Sequence, residues 1–526
     1  MNLKIESKQS AYIVLVILVS LGLAIRTYGI GRLDFWYDEM GMWLYSLTGS
    51  PFPHSAPTEP PLMPWLMYIW MWWMKSGDSF HIHFLPAVLG SLAIPVSYLF
   101  AAKVDDSRIT GLVAAALTTL SPMAIFYSRE GRPYALFILV SSSLYLSFIW
   151  AHLKNSKPAW LSYSLLLCLS GLSHLLTAEI GVVLLIFAIA TRFIAPLSSG
   201  GPDLRARRFI HFLLFSFAGG VGILWILLRP SGPVRAAFSG IYQFGLLSYF
   251  RTVLVNLGPG PVRPYTDWSF GPSEFLAILF FLLFLAGLRR LHQSGRDDLV
   301  LLFVLACSVP MVIKYFTLGF RGDAVWVRWI SHTLLPFLVV VSIGFESIRR
   351  LLKNAYIQVV LAALFMIGIL RVAVDLPENA EYNEFKRIAR YTKENSVELE
   401  GVLILPYRQG ASGGDLRITN IYFYLKRELL PAYHVTDGEI RKVALAPSLG
   451  NITQIARADN HPESRLESGK YAVLWRRPLE ACDDIARTLK NIKAIVRESS
   501  PIMEGLTVCD FDFSETGSGD AAPVFH

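Results

Sequence analysis

Apolar residues fall in long, nearly unbroken runs up to about residue 375, and charged residues are dense after that point. The first run spans Ala11 to Leu23 and continues to about Ile30. Further runs centre on Phe84–Ala102, Gly111–Phe126, Tyr134–Ala151, Trp160–Leu172, Ala178–Ile194, Phe209–Leu228, Phe275–Leu288, Leu299–Phe316, Ile330–Phe345 and Ile357–Ala373. Each approaches the roughly 20 residues that cross about 30 Å of hydrocarbon. In lipid such runs must be helices, because every backbone group needs an internal partner. The shorter run Pro61–Met74 carries Trp65, Trp70, Trp72 and Trp73, and Trp favours the membrane–water boundary; it predicts a helix lying on the membrane. The pattern predicts an α-helical polytopic membrane protein with about eleven transmembrane helices.

After residue 375 the periodicity changes. Helical spacing over Tyr382–Glu394, Ile418–Leu429 and Leu479–Asn491 alternates with strand-like segments at Gly401–Leu405, Tyr471–Trp475, Ala494–Val496 and Leu506–Phe513. The expected division is a membrane domain over 1–375 and a small soluble α/β domain over 376–526. Gly410–Gly414 has no phosphate-binding loop spacing.

Composition agrees: of 526 residues, 53% are hydrophobic and only 17% charged, against about 25% charged in soluble domains. No small-x-small cleavage site follows the first run, which predicts an uncleaved first helix rather than a signal peptide. Basic residues occupy alternate loops: Lys103/Arg108, Lys154/Lys157, Arg192 with Arg205/Arg207/Arg208, Arg289/Arg290/Arg296 and Arg349/Arg350/Lys353. The positive-inside rule places these loops and the N-terminus in the cytoplasm, and the segments 31–83, 127–133, 173–177, 229–271, 317–329 and the tail outside. Anchoring of this kind accounts for much of the net charge of +8, and nothing points to nucleic acid. Cys168 and Cys307 lie in apolar runs, whereas Cys482 and Cys509 lie in the outward tail, where a disulfide would persist.

Three outward clusters carry candidate chemistry. Asp38 and Glu39 follow Trp36-Tyr37; paired acids at a membrane interface suit a general base or a cation site, and equally a solvated loop start beside an aromatic belt. Glu59 precedes Pro60-Pro61-Leu62. The third cluster is Tyr127-Ser128-Arg129-Glu130-Gly131-Arg132-Pro133-Tyr134, where two arginines run against the positive-inside trend. Either Arg129 pairs with Glu130 and Arg132 reaches lipid phosphate, or both grip a bound phosphate, which a planar guanidinium suits. His174, Lys314, Arg321 and Arg328 also fall near outward helix ends. Cations and acids gathered on one membrane face suggest a site for a phosphorylated, lipid-linked substrate. A flippase of lipid-linked glycans is the alternative, but it calls for ionisable groups deep in several helices, and here they sit mainly at helix ends.

These clusters resemble motifs of GT-C superfamily glycosyltransferases. Trp36-Tyr37-Asp38-Glu39 resembles their first outer-loop acidic motif, and Glu59-Pro60-Pro61-Leu62 a His-Pro-Pro-Leu step. Residues 127–134 resemble a Tyr-Ser-Gln-Glu-Ala-Arg-x-Tyr pattern, and Arg328-Trp329 through Leu335-Pro336 a late Arg-Tyr helix. The resemblance runs over roughly residues 10–375 and is to bacterial relatives of protein O-mannosyltransferases and of the lipid A aminoarabinose transferase, in glycosyltransferase family 39. It implies inverting transfer of a sugar from a polyprenyl-phosphate donor to a protein, lipid or glycan acceptor at the outer face of a bacterial inner membrane. It assigns Asp38 as general base and Glu39 as its support or an acceptor contact. Arg129, Arg132 and Arg328 become ligands of the donor phosphate, and Tyr127 and Tyr134 their helpers. Glu59 stands where many relatives have His, which leaves three readings: a divalent metal shared with His174, an acceptor contact, or a structural partner for an arginine.

Overall fold

A computed structural model describes residues 8–32, 39, 60–75, 79–194, 201–222, 224, 246–258, 272–317 and 327–352, and seven strands between 401 and 512. The helices are α1 (Lys8–Thr27), α2 (Leu62–Met74), α3 (Ser79–Asp105), α4 (Arg108–Leu120), α5 (Pro122–Ser128), α6 (Tyr134–Lys154), α7 (Lys157–Ser173), α8 (Thr177–Phe193), α9 (Pro202–Gly219), α10 (Leu246–Leu257), α11 (Pro272–Gln293), α12 (Asp297–Thr317) and α13 (Leu334–Leu351). A 3-10 segment, Val327–Thr333, leads into α13. Among the described residues six helical segments are long and apolar enough to cross a membrane, or seven if α4 and α5 count as one bent span. The chain is thus a polytopic membrane protein. α7 and α8 coincide with expected spans but have 17 residues each. The expected span Ile357–Ala373 lies outside the described residues.

Burial ranks the helices. The segment Ile330–Leu351 is 89% buried, whereas the first helix is 17% buried. α13 is therefore the central element, and α1 packs at the periphery against α4. Close approach of α11 and α13 depends on glycine: a Cβ on Gly344 would sit 1.8 Å from the Leu283 carbonyl oxygen, and one on Gly287 2.1 Å from that of Val340. Small residues let helix backbones meet where lipid supplies no hydrophobic drive for association.

The bend between α4 and α5 is 56°. Its cause is local. Pro122 has no N–H to give the Thr118 carbonyl one turn earlier, so the helix ladder opens there. Arg26 of α1 fills the gap: its Nη2 donates to Thr118 O at 3.0 Å and its Nη1 to Thr119 O at 3.2 Å. Ser121 restarts the helix by accepting the Ala124 N–H at 3.3 Å.

Ion pairs tie basic loops to one end of the bundle. Arg290 meets Asp105 at 2.9 Å, Arg296 meets Asp106, and Arg349 and Arg350 share Glu346. His152 at the end of α6 meets Asp298 at the start of α12, 3.2 Å apart.

The strands form a second compact unit, which also contains Glu39. They are β1 (Gly401–Ile404), β2 (Ala432–Thr436), β3 (Glu439–Pro447), β4 (Gln454–Ala458), β5 (Gly469–Leu474), β6 (Ile495–Met503) and β7 (Leu506–Asp512), in the order β4-β3-β2-β1-β5-β7-β6. β1 runs parallel to both β2 and β5, and the remaining pairs are antiparallel. The four strand-like segments read from the sequence reappear as β1, β5, β6 and β7, while β2, β3 and β4 are additional. The expected helices 382–394, 418–429 and 479–491, the domain boundary near 376 and Cys482 lie outside the described residues.

Candidate functional site: a cationic cluster around His174

The bent span turns the segment 127–134 back into the bundle. Tyr127, Ser128, Glu130, Arg132 and Tyr134 are all buried, so this loop is part of the helical core rather than a solvated connection. Ser128 is held by Arg26 Nε at 3.2 Å and packs on the backbone of Gly90, where a Cβ would come within 1.8 Å of its Oγ. Arg129 is the C-cap of α5 and reaches back to the Ile25 carbonyl at 3.4 Å.

From this platform two tyrosines and Arg132 face the start of α8. The rings of Tyr127 and Tyr134 lie 5.0 Å apart, and the Arg132 guanidinium lies 5.7 Å from the centre of the Tyr134 ring. Arg132 is only 9% exposed. Of the two sequence readings for this residue, extension to a lipid headgroup is the poorer fit, because its stem would have to leave the core.

His174 is the hub. It is the C-cap of α7, stacked on Phe137 at 4.8 Å and tilted against Tyr134 at 5.3 Å. Burial first, then the positive charges of Arg132, Lys314 and Arg328 with His332 nearby, hold its pKa well below the ordinary value. The ring is therefore neutral at physiological pH. Its Nδ1 accepts the Leu176 N–H at 3.1 Å. A neutral imidazole accepting through Nδ1 carries its proton on Nε2, so His174 offers an N–H donor.

Acid and base groups complete the cluster. Lys314 of α12 forms an ion pair with Glu179 in the first turn of α8. His332 Nε2 lies 3.6 Å from the same carboxylate, and neither ring nitrogen of this fully buried histidine has a hydrogen-bond partner among the described residues. Arg328 lies within electrostatic range of both Tyr127 and His174. The structure thus gathers Tyr127, Arg132, Tyr134, His174 and Arg328, which the sequence singled out, and adds Glu179 and His332. Arg129 donates to the Ile25 carbonyl of the first helix. Glu39 is buried and belongs to the second unit, and Asp38, Glu59 and Arg321 lie outside the described residues. Glu179 had one legible signal, an acid at the head of an apolar run; His332 had none.

A divalent metal fits the described half of its expected pair poorly. His174 commits Nδ1 to a backbone N–H, presents a proton on Nε2, and is surrounded by cations. No group of three or more His, Cys, Asp or Glu side chains that could hold a metal occurs among the described residues. The same surroundings favour an anion: three cationic side chains, a neutral N–H donor and two tyrosines, all largely shielded from water.

Residues 58–216 match the family model described as dolichyl-phosphate-mannose-protein mannosyltransferase. The chain is also similar in structure to the crystal structure of ArnT from Cupriavidus metallidurans bound to undecaprenyl phosphate. The TM-score is 0.56 at 12% identity, with 96% of this chain and 99% of that chain covered. The chain resembles the GT-C superfamily glycosyltransferases. The apo structure of the same ArnT gives the same TM-score and identity over 98% of its length. No curated protein matches the sequence. The family match contains the 127–134 segment and His174, so the matched region includes part of the cationic cluster.

Proposed function

We propose that this protein is a GT-C-type membrane glycosyltransferase that moves a sugar from a polyprenyl-phosphate donor to a hydroxyl acceptor on the extracytoplasmic face of a bacterial inner membrane, with inversion. The observation that carries the reading is the convergence of Arg132, Lys314 and Arg328 on the neutral His174, beside Tyr127 and Tyr134. A further support is the fold shared with ArnT, whose crystal structure contains undecaprenyl phosphate.

In this reaction the acceptor oxygen attacks the anomeric carbon as the bond from that carbon to the phosphate oxygen breaks. The electron pair of the broken bond stays on the phosphate, whose negative charge rises in the transition state. Arginines fixed in place before the reaction stabilise that charge without reorganising, each worth on the order of 2.7–4 kcal/mol of barrier by analogy with oxyanion-hole donors. Arg132 and Arg328 take this role, with the Nε2–H of His174 a further donor. The acceptor proton passes to Asp38, and Glu39 supports that carboxylate. Glu59 binds the acceptor. The proposed organisation is a catalytic membrane domain over 1–375 followed by an extracytoplasmic α/β domain over 376–526, with about eleven spans in all.

The test is turnover of radiolabelled polyprenyl-phosphate sugars by purified protein with a membrane extract as the acceptor source. Wild type should transfer label, and Asp38→Asn should lose transfer while retaining fold and donor binding. Undiminished transfer by Asp38→Asn removes it as the base. Movement of labelled lipid across vesicles with no bond broken would establish a flippase instead.

A further inference from the structure

The carboxylate of Glu179 is bonded on one side. Its Oε1 forms the ion pair with Lys314, whereas Oε2 is shielded from water and makes no hydrogen bond among the described residues. His332, carried by the 3-10 entry to α13, lies beside that second oxygen. Its Nε2 is 3.6 Å from Oε2, just beyond hydrogen-bond length. Packing rather than bonding holds this ring: its centre lies 5.7 Å from that of Phe137, its side chain is 0% exposed, and neither nitrogen has a hydrogen-bond partner among the described residues. Two shielded polar groups standing side by side without a bond cost free energy that a small turn of the carboxylate would recover. The ion pair with Lys314 opposes that turn.

Lys314 has two roles that pull in different directions. It pairs with Glu179, and with Arg132 and Arg328 it is one of three cations whose charge acts on His174. An ammonium carries its donors on a flexible stem, so it can turn towards an arriving anion. It cannot leave Glu179 without cost, because a buried carboxylate stripped of its partner is strongly disfavoured unless a second donor takes its place. His332 supplies that donor: the tautomer with its proton on Nε2 donates to Oε2 without any change of charge on the ring. Tyr145 of α6 is another buried hydroxyl that makes no hydrogen bond among the described residues and lies within electrostatic range of Glu179.

We infer that Glu179 is a positioning residue with two alternative partners. In the arrangement described here it holds Lys314; with the donor phosphate bound, Lys314 turns to the anion beside Arg132 and Arg328, and Glu179 accepts a hydrogen bond from His332. This rests on the reading of the cluster as the donor-phosphate site. It gives His332 a function that its contacts alone do not: its bond belongs to the second arrangement.

Delipidated full-length protein in detergent is titrated with undecaprenyl phosphate, and separately with undecaprenol, which lacks the phosphate. Retained lipid is counted by native mass spectrometry, and the thermal midpoint is followed in parallel. Wild type should retain undecaprenyl phosphate in preference to undecaprenol. Glu179→Gln should lower the lipid-free midpoint, because Lys314 loses that ion pair, and yet retain undecaprenyl phosphate at least as strongly as wild type, because no buried charge is left behind when Lys314 turns. His332→Leu should weaken retention about tenfold, the worth of one hydrogen bond to a charged group, with a lipid-free midpoint close to that of wild type. His332→Gln, which keeps an N–H donor, should restore retention, and His332→Leu should have no effect in the Glu179→Gln background. Equal retention of the two lipids by wild type overturns the phosphate-site reading itself. Preferential retention by wild type, matched by His332→Leu, overturns the exchange of partners alone, and a tenfold loss in Tyr145→Phe in its place overturns the part given to His332. Retention that falls together with the midpoint in Glu179→Gln makes Glu179 a structural residue and overturns the inference, whether or not His332→Leu folds.

Discussion

Replacing Arg26 with methionine tests whether the bend that builds the cationic cluster is held by one side chain. Arg26 is 0% exposed and lies inside the first apolar helix. It donates to Ser128 Oγ at 3.2 Å, Thr118 O at 3.0 Å, Thr119 O at 3.2 Å and Gly22 O at 3.1 Å. Methionine fills a similar volume but leaves these acceptors without their donor. A hydrogen bond to a charged group contributes about 1.5–3 kcal/mol net of desolvation. The bonds share one group and are not additive, and removing a buried cation returns part of its desolvation cost. The expected loss is therefore about 3 kcal/mol, read as a shift in SDS-induced unfolding in mixed micelles. A second substitution isolates the cause. Pro122→Ala restores the N–H that the Thr118 carbonyl lacks. In wild type that carbonyl is already matched by Arg26, so Pro122→Ala should bring little gain. In the Arg26→Met background it should recover about 1 kcal/mol more, the worth of one ordinary hydrogen bond. Two results refute the reasoning: a loss below about 0.5 kcal/mol for Arg26→Met, within the range of unremarkable surface changes, or an equal effect of Pro122→Ala in both backgrounds.

Other outcomes follow from the same geometry. Arg328→Gln and Arg132→Gln should each lower transfer about 10²–10³-fold in the turnover assay with the fold intact; unchanged turnover removes that arginine from the phosphate site. Lys314→Met leaves Glu179 without its ion-pair partner at a position only 9% exposed and should cost about 3–5 kcal/mol in the unfolding assay. Adding Glu179→Gln should return most of that loss, and failure to do so means the pair does not act as a unit. For His174 the folded pKa lies below the ordinary value of 6.5. As pH falls through 6.5 the unfolded chain takes up the proton first, so this residue subtracts stability on the acid side. His174→Gln should flatten that part of the stability profile. Gly344→Ala drives a Cβ into the Leu283 carbonyl and should lower stability by about 1–3 kcal/mol, as overpacking does.

Most of the membrane architecture was legible in the sequence because the requirement behind it is local. A helix must cross lipid alone, so hydropathy marks α1, α3, α6, α11, α12 and α13 wherever they end up in the bundle. In the tail, β3 was missed although Asp437-Gly438, a strong hairpin signal, stands between β2 and β3. β3 itself reads Glu-Ile-Arg-Lys-Val, an alternation broken by an adjacent charged pair.

The sequence by itself determined that cations at 132, 314 and 328 and a histidine at 174 sit near helix ends on one face. Only the tertiary structure decided what they do together. Side chains nearly two hundred residues apart meet because α13 and its 3-10 entry lie at the centre of the bundle, and their burial suppresses protonation of His174. Arg26 makes the same point most sharply. In sequence it is a lone charge in an apolar run; in the fold it supplies what Pro122 withholds from the helix ladder, and no pattern within either segment reveals that the two are neighbours. Local periodicity fixes which segments cross the membrane, because each must satisfy its own backbone. Pairing across the bundle depends on packing that no single segment contains.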